Sequence, residues 1–192
     1  MAYCTLVQAT SRDALAEAAR SVLAEKGYDA ATVREVATAA GVPQGLIHYY
    51  YGGKDGLLAE VLIRQATANR AEQEASSRGV SAPRLVRSAL ERRRRRVIDD
   101  PGWHRLRFEL FALGLRKPEM TPRLAQLLEV GRAAIAGIIG TARGRSSKED
   151  LALASVILAC VDGLALQKLA DPSFDLKGAY AALEKLIKET IE

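Results

Sequence analysis

The residues most able to do chemistry in this chain lie together in one short predicted helix. Residues 43–51 read PQGLIHYYY, and at about 100° per residue the bulky apolar side chains share one side of a helix. The opposite arc carries an amide, a position without a side chain, an imidazole and a phenol, which are Gln44, Gly45, His48 and Tyr49. An amide can pair with adenine in the major groove, and a glycine allows the backbone to approach a groove closely. This arc therefore predicts contacts to duplex DNA.

Neighbouring residues supply candidate phosphate contacts that also have simpler structural roles. Lys54 adds a positive charge where the next helix begins, and the free N–H groups of that helix can face a phosphate. Thr32 and Glu35 have the spacing of a capping box, so the Thr32 hydroxyl is first a helix cap and second a phosphate ligand. Tyr50 and Tyr51 belong to the apolar side of their helix, and that position is more typical of packing than of DNA contact.

The elements that must position this arc have the layout of a helix-turn-helix. Apolar residues between Leu15 and Leu23 follow helical spacing, and Gly27 ends that first helix. The capping box begins a second short helix, and Gly41 suits the left-handed residue that follows it. Two short helices joined by a tight turn and packed on a third form a helix-turn-helix.

Helical spacing extends over the rest of the chain, and no strand-like alternation interrupts it. We expect an all-α protein of nine helices, in which a three-helix head is followed by a larger helical body. The head is predicted over residues 9–66 and the body over residues 67–192, with a long fourth helix linking them. The eighth helix is predicted over residues 149–170, and the ninth begins near residue 176.

The composition excludes several classes of protein. The 192 residues are 48% hydrophobic and 27% charged, which is typical of a globular chain and too apolar for general disorder. Only two cysteines and two histidines occur, without a metal-ligand cluster, a Cys–His pair or a phosphate-binding glycine loop. We therefore expect no enzyme activity, no catalytic residue, no metal and no cofactor. Without a signal peptide or a clear membrane helix, the chain is expected to be cytoplasmic and to have no membrane partner.

The positive charge of the chain is concentrated away from the predicted head. The net charge is +5 overall, yet residues 1–55 carry five basic and six acidic side chains, whereas residues 80–117 carry eleven basic and four acidic ones. A basic excess points to nucleic acid or to an anionic ligand as a partner. The net negative head predicts weak nonspecific affinity for DNA, because few phosphates are neutralised.

The predicted eighth helix indicates a partner chain. Residues 149–170 are apolar on every side, and a helix of this kind has to be buried all round. Helices eight and nine of two copies together make a four-helix interface, whereas the alternative is a central helix of a monomer. The residues predicted to form the homodimer interface are Ile157, Val161, Leu164, Tyr180, Leu183 and Ile187.

Two arginines of the body are predicted to lean inward. Arg93 lies at the centre of the apolar arc of the fifth helix, and Arg107 lies within that of the sixth. A buried guanidinium needs an anionic partner, which is either an internal carboxylate such as Asp162 or an anionic ligand. In the second alternative, a pocket between helices four to eight takes a small molecule with an apolar body and an anionic group. Its candidate lining residues are Arg93, Trp103, His104, Arg107, Phe108, Phe111 and Leu115.

Residues 12–57 follow a fixed pattern of small, apolar and polar positions. These positions are Leu15, Ala18, Ala19, Gly27, Tyr28, Thr32, Val33, Val36, Ala37, Ala40, Gly41, Val42, Gly45, Ile47, Tyr51, Lys54 and Leu57. With this spacing the head resembles the helix-turn-helix of TetR-type regulators, and the body is similar to the rest of that family in helix count and in its run of residues 162–164. Three departures from the family pattern, Pro43, His48 and Gly53, alter the expected DNA contacts and operator choice.

The resemblance implies a TetR-like architecture and a way of working. In this family a homodimer places its paired third helices in successive major grooves of a palindromic operator. By position, the DNA-facing residues are Thr32, Gln44, Gly45, His48, Tyr49 and Lys54. The implied function is a transcriptional repressor that a small-molecule ligand releases from double-stranded DNA. The alternative is a helical ligand-binding protein whose DNA role is activation or is absent.

Overall fold

The computed structural model describes residues 2–77, 79–144 and 148–191, and that part of the chain is helical apart from its connecting turns. It contains nine α-helices and no strand, so the predicted all-α fold of nine helices is confirmed for these residues. A short 3-10 helix, Pro118–Met120, stands between the sixth and seventh α-helices. The α-helices are α1 (Ala2–Ala30), α2 (Val33–Ala40), α3 (Gly45–Tyr51), α4 (Lys54–Ser76), α5 (Ala82–Asp99), α6 (Pro101–Arg116), α7 (Thr121–Arg143), α8 (Lys148–Ala170) and α9 (Leu176–Ile191).

Local signals set the ends of the head helices as the sequence predicts. The Thr32 hydroxyl accepts a hydrogen bond from the Glu35 amide at 3.2 Å, and the Glu35 carboxylate accepts one from the Thr32 amide at 2.9 Å. Gly41 follows α2 with φ +66°, in the left-handed region that glycine tolerates best. Gly27, with φ +76°, breaks the helical backbone near the end of α1. The predicted capping box and both predicted glycine breaks are therefore confirmed.

The chain divides into two compact units, which are described separately. Unit 1 comprises the described residues up to Gln65 together with Arg105–Leu127, and unit 2 comprises Ala66–His104 with the described residues from Leu128 onward. Unit 1 holds more than the predicted head, because most of α6 and the start of α7 belong to it. One physical reason is a 2.5 Å bond from the Lys117 ammonium to the carboxylate of Asp55 in α4. The domain boundary between residues 66 and 67 stays a prediction.

The core of unit 1 forms around α3 and the first turns of α4. Its most deeply buried side chains include Leu15, Ile47, Leu57, Leu58 and Leu62. Gly56 allows α4 to contact α3 closely, because a Cβ at that position would lie 1.8 Å from the Tyr51 carbonyl oxygen. The Tyr51 hydroxyl donates a 2.7 Å hydrogen bond to the Arg12 carbonyl, which ties the end of α3 to α1.

In unit 2, α5 packs on α8 and α9, and these two helices also pack on each other. The buried apolar side chains come from all three helices and include Leu85, Leu90, Leu158, Ala165 and Leu176. Much of the arginine run of α5 is engaged within the unit. Arg94 and Arg95 both contact Glu91, at 2.7 and 3.0 Å. Arg96 donates to the Asn69 side chain at 3.3 Å.

One stretch of the described residues, Pro118–Arg143, is long and apolar enough to cross a membrane by these two criteria alone. It contains Glu129 and Arg132 near its middle, and charges at the centre of a bilayer are costly. The length and composition of this stretch show that α7 is a long apolar helix. They are weak evidence for a membrane-spanning segment.

The structure places most of the predicted homodimer residues in the core of their own chain. Ile157, Val161, Tyr180, Leu183 and Ile187 are buried, and Leu164 is half-buried. Within the single chain one side of α8 stays exposed, as the expected partner chain requires, and its burial by a second copy stays a prediction. An apolar residue suits the core and an exposed interface equally well, so helical spacing alone does not separate the two sides of α8. The large apolar residues that α8 and α9 leave exposed are Leu151, Val156, Leu166 and Leu186.

A buried ion pair joins three helix ends in unit 2. Asp150, in the first turn of α8, is 1% exposed, and its carboxylate accepts a 2.7 Å bond from Arg143 at the end of α7. The same guanidinium donates a 2.9 Å bond to the Thr190 carbonyl of α9. The Asp150 carboxylate thus balances a cation that holds the ends of α7, α8 and α9 together.

We predict that Asp150→Asn lowers the free energy of unfolding by about 3 kcal/mol, because it leaves the Arg143 guanidinium buried without its counter-charge. Urea unfolding followed by circular dichroism measures the change. Glu149→Gln, at the exposed neighbouring position, is the matched control and should stay within about 0.5 kcal/mol of wild type. Equal stability of the two variants would show that the ion pair contributes little.

Candidate nucleic-acid interface

Helix α3 has the two faces that the sequence predicts. Ile47 and Tyr51 are buried, with 0% and 6% of their surface exposed, whereas Tyr49 on the other side is 73% exposed. We call the outward side the recognition face, and its residues are Gln44, Gly45, His48 and Tyr49, all of them exposed. The amide, imidazole and phenol therefore share one solvent-facing surface, and their contact with DNA stays a prediction.

Three consecutive tyrosines run from the recognition face into the core. The rings of Tyr49 and Tyr50 lie edge to face with centroids 5.0 Å apart, and those of Tyr50 and Tyr51 follow at 6.2 Å. Edge-to-face packing is a favourable arrangement of aromatic rings. The exposed ring of Tyr49 therefore packs against Tyr50, and Tyr50 packs in turn against the buried ring of Tyr51.

Two glycines shape the space around the recognition face. Gly53 is buried with φ +119°, and a Cβ built there would lie 3.7 Å from the His48 imidazole. The imidazole therefore rests over the Gly53 backbone. At Gly45 nothing lies within 4 Å of a built Cβ, so the backbone at the start of α3 is open to close approach by a ligand.

The Thr32 hydroxyl, a predicted phosphate contact, is engaged within the head. It accepts from the Glu35 amide and donates to the Glu35 carboxylate at 2.9 Å. The Lys26 ammonium lies 2.6 Å from the other carboxylate oxygen. The bonds from Lys26 and Thr32 lower the pKa of Glu35 to about 2, so this carboxylate stays ionised at neutral pH. Thr32 is exposed, but its hydroxyl would have to leave Glu35 to donate to a phosphate.

Lys54, the other predicted phosphate contact, lies against the end of α1. Its ammonium donates to the Asp29 carbonyl at 3.2 Å and stands 4.3 Å from the centroid of the Tyr28 ring. A cation over an aromatic face makes an attractive contact. The structure thus gives Lys54 partners inside unit 1 and leaves its side chain half-buried.

Beside Lys54 is a polar network that the sequence did not predict. The Tyr28 hydroxyl donates to one oxygen of Asp55, and the Lys117 ammonium donates to the other at 2.5 Å. Burial alone would raise the pKa of Asp55, but the bonds from Lys117 and Tyr28 hold it below its ordinary value. Burial and the bond to Asp55 raise the pKa of the Tyr28 phenol. Lys117 and Asp55 are 62 positions apart, and no spacing rule connects residues so distant in sequence.

The candidate ligand-binding residues fall in both units. Those in unit 2 are Arg93, Trp103 and His104, and those in unit 1 are Arg107, Phe108, Phe111 and Leu115. In unit 1 the Arg107 guanidinium lies 5.0 Å from the Phe111 ring centroid, and Phe108 packs edge to face on that ring at 5.8 Å. Leu115 is 82% exposed and lines no interior surface, contrary to expectation, because α6 turns Leu113 and Gly114 inward at that level.

In unit 2, the charges of Arg93 and Asp162 act on the buried phenol of Tyr180. Burial raises the pKa of Tyr180 to about 12, while the Arg93 charge opposes this rise and the Asp162 charge adds to it. Arg93 and Asp162 are both half-buried. The charges on α5 and α8 therefore shift the pKa of one phenol of α9 in opposite directions.

Comparison with known proteins matches two regions of the chain to family models. Residues 15–61 match the tetR family of bacterial regulatory proteins, and residues 81–191 match the tetracyclin repressor-like C-terminal domain. The second match alone covers more than half of the chain.

Individual proteins show the same likeness. BetI of Rhizobium meliloti, an HTH-type transcriptional regulator, is 36% identical over 81 residues, which are 42% of this chain and 40% of BetI. A solved TetR-family structure from Rhodococcus sp. has a TM-score of 0.70 at 24% identity and covers 96% of this chain and 100% of its own. FadR from Bacillus subtilis, solved in complex with stearoyl-CoA, has a TM-score of 0.66 at 20% identity and covers 92% of this chain and 97% of its own.

The match to BetI spans well under half of that protein, and the two solved structures show the shared fold. The two family models together cover the helix-turn-helix and most of the helical body. The chain therefore belongs to the TetR family of bacterial regulatory proteins and carries the helix-turn-helix of that family in its head.

Proposed function

We propose that this regulator is a homodimeric, cytoplasmic repressor that binds a palindromic operator through α3 and is released by a small-molecule ligand. The observation that carries the DNA-binding part is the exposure of the recognition face. Its polar side chains point to solvent while Ile47 and Tyr51 of the same helix are buried. The groups on the recognition face suit base edges and phosphates, which are the two kinds of contact that a regulator needs.

Each member of the recognition face suits a particular contact in a major groove. The Gln44 amide has the donor and acceptor that pair with adenine, and the open backbone at Gly45 permits close approach. The imidazole of His48 and the phenol of Tyr49 offer hydrogen-bond donors to bases or phosphates. In a dimer, two copies of α3 would enter major grooves about 34 Å apart along the duplex.

We predict that His48→Ala and Tyr49→Ala each weaken operator binding by about 1–3 kcal/mol, because each removes a base or phosphate contact. Both side chains are exposed, so thermal unfolding should change little. Tyr51→Ala is the contrasting variant, and it should lower the free energy of unfolding by about 3 kcal/mol because it empties a buried site.

The binding measurement starts with the selection of duplexes from random DNA by the wild-type protein. Fluorescence anisotropy then measures the affinity of wild type and of each variant for the enriched duplex. A reporter gene placed behind the same duplex separates repression from activation. If both surface variants keep wild-type affinity, the recognition face is wrongly assigned. If no duplex is enriched, the alternative of a helical ligand-binding protein without a DNA role is favoured.

The dimer proposal is carried by a row of small and apolar residues along the outside of α8. The row, which we call the α8 face, is Ala152, Val156, Ala159, Gly163 and Leu166. Val156 and Leu166 are 60% and 53% exposed, and Leu186 on the adjoining helix α9 is 61% exposed. At Gly163 nothing lies within 4 Å of a built Cβ, so a second helix can approach there. Burying these apolar side chains against a second copy would favour association.

Val156→Glu should dissociate the dimer while the chain stays folded, because Val156 belongs to the α8 face and lies outside the core. Ile157→Glu, one position along, should unfold the chain instead, since Ile157 is only 5% exposed. Size-exclusion chromatography with light scattering measures the mass, and wild type should give twice the chain mass of 20.7 kDa. A wild-type mass of 20.7 kDa at micromolar concentration would refute the dimer.

The ligand proposal rests on arginines placed among aromatic side chains. The Arg107 guanidinium lies 5.0 Å from the Phe111 ring centroid in unit 1. In unit 2, the charge of Arg93 opposes the rise in the pKa of the Tyr180 phenol that burial causes. A guanidinium grips carboxylates and phosphates with two parallel hydrogen bonds. The stearoyl-CoA in the FadR structure combines a long apolar chain with anionic phosphates. We therefore propose an apolar or aromatic ligand that carries an anionic group.

A thermal-shift panel of fatty and aromatic carboxylates and acyl-CoA thioesters, each set against a matched amine, tests this chemistry. The anionic compounds should raise the melting temperature by about 5–10 °C at a hundredfold excess over Kd. Arg107→Leu should abolish the rise, while Arg105→Leu, at an exposed position of the same helix, should keep it. Stabilisation by amines and not by carboxylates would mean that the arginines serve the fold alone.

A further inference from the structure

We propose that Lys117 and Tyr28 are positioning residues for the recognition face, and that both act through Asp55 at the start of α4. The inference deepens the proposed function, because it rests on DNA binding by α3 and names residues outside the helix-turn-helix that set its geometry. Lys117 lies after the end of α6, and Tyr28 lies beyond the break in α1 at Gly27.

Three separate elements meet on the Asp55 carboxylate. One oxygen accepts from the Tyr28 hydroxyl, and the other accepts from the Lys117 ammonium at 2.5 Å. The Lys54 ammonium also lies over the Tyr28 ring, 4.3 Å from its centroid. All four residues lie in unit 1, and Asp55 is half-buried. Both oxygens of one carboxylate therefore hold α1 and the segment after α6 against the first turn of α4.

The segment Arg105–Leu127 makes a second contact with α4, but the carboxylate in that contact is shared by several cations. Arg123 lies 3.8 Å from Glu60 of α4, but Glu60 is also held by Arg64 at 2.8 Å and by Arg12 at 3.4 Å. Loss of Arg123 would leave Glu60 with two cations, whereas loss of Lys117 would remove the bonded cation of Asp55. Lys117 is therefore the more sensitive link between Arg105–Leu127 and α4.

The turn of α4 that carries Asp55 also supports α3. Gly53, two residues before Asp55, lies under the His48 imidazole. Gly56, one residue after Asp55, meets the Tyr51 carbonyl oxygen at the end of α3. A shift of this turn would move both supports of the recognition face, so the bonds to Asp55 set the orientation in which His48 meets DNA.

The test measures affinity for the duplex that wild type selects from random DNA. Lys117→Met and Tyr28→Phe should each weaken binding about tenfold, as expected for loss of a bond within one coupled network. Lys117→Arg keeps a cation for Asp55 and should restore most of the affinity. Arg116→Met is the matched control, because Arg116 is exposed and lies 4.0 Å from Glu109 of its own helix, and it should bind as wild type does.

Hydrogen exchange supplies a readout that does not require DNA. The Leu57 amide donates to the Gly53 carbonyl at 3.1 Å in the first turn of α4, and its exchange should quicken in Lys117→Met and Tyr28→Phe but not in Arg116→Met. Wild-type affinity and wild-type exchange in both variants would overturn the inference. If Lys117→Met does not fold, Tyr28→Phe decides the question, because it removes one hydroxyl and keeps the ring. If wild type enriches no duplex, the proposed function fails, and the exchange rates still test the positioning.

Discussion

The recognition face depends on one close contact, between the end of α3 and the first turn of α4. At Gly56 a larger residue would collide with the Tyr51 backbone, which cannot move aside as a flexible side chain can. The connection between the two helices is made by Gly52 and Gly53, both with positive φ. Because backbone geometry fixes this contact, Ile47 enters the core and the opposite side of α3 faces solvent.

The charges of unit 1 serve the fold more than they serve attraction to DNA. Glu60 is buried and contacts three arginines, and the Glu35 carboxylate lies 2.6 Å from the Lys26 ammonium. Lys54 is directed onto the end of α1. Cations that are neutralised inside a protein release few counterions from a duplex, so nonspecific binding gains little from them. Under the proposed function, the hydrogen-bonding groups of the recognition face would therefore distinguish one base sequence from another.

The features that the sequence predicted are those whose information is local. The capping box at Thr32, the left-handed Gly41 and the two faces of α3 each depend on residues within a few helical turns. The outer side of α8 was less predictable, because Ile157 and Val156 are both apolar neighbours although one is core and the other exposed. The bond between Lys117 and Asp55 joins positions that only the fold brings together, and periodicity carries no information about it.

The empty space at Gly45 bears on how a regulator of this kind acquires a new operator. A side chain added there would extend into solvent without meeting any neighbour within 4 Å, so many residue types fit without repacking α3. Most exposed substitutions change stability by roughly 0.5 kcal/mol or less. If α3 contacts the operator as proposed, substitutions at this position would change operator preference while the fold is preserved. A duplicated gene copy would then reach a new operator in few mutations, and protein design would have one position at which to alter it.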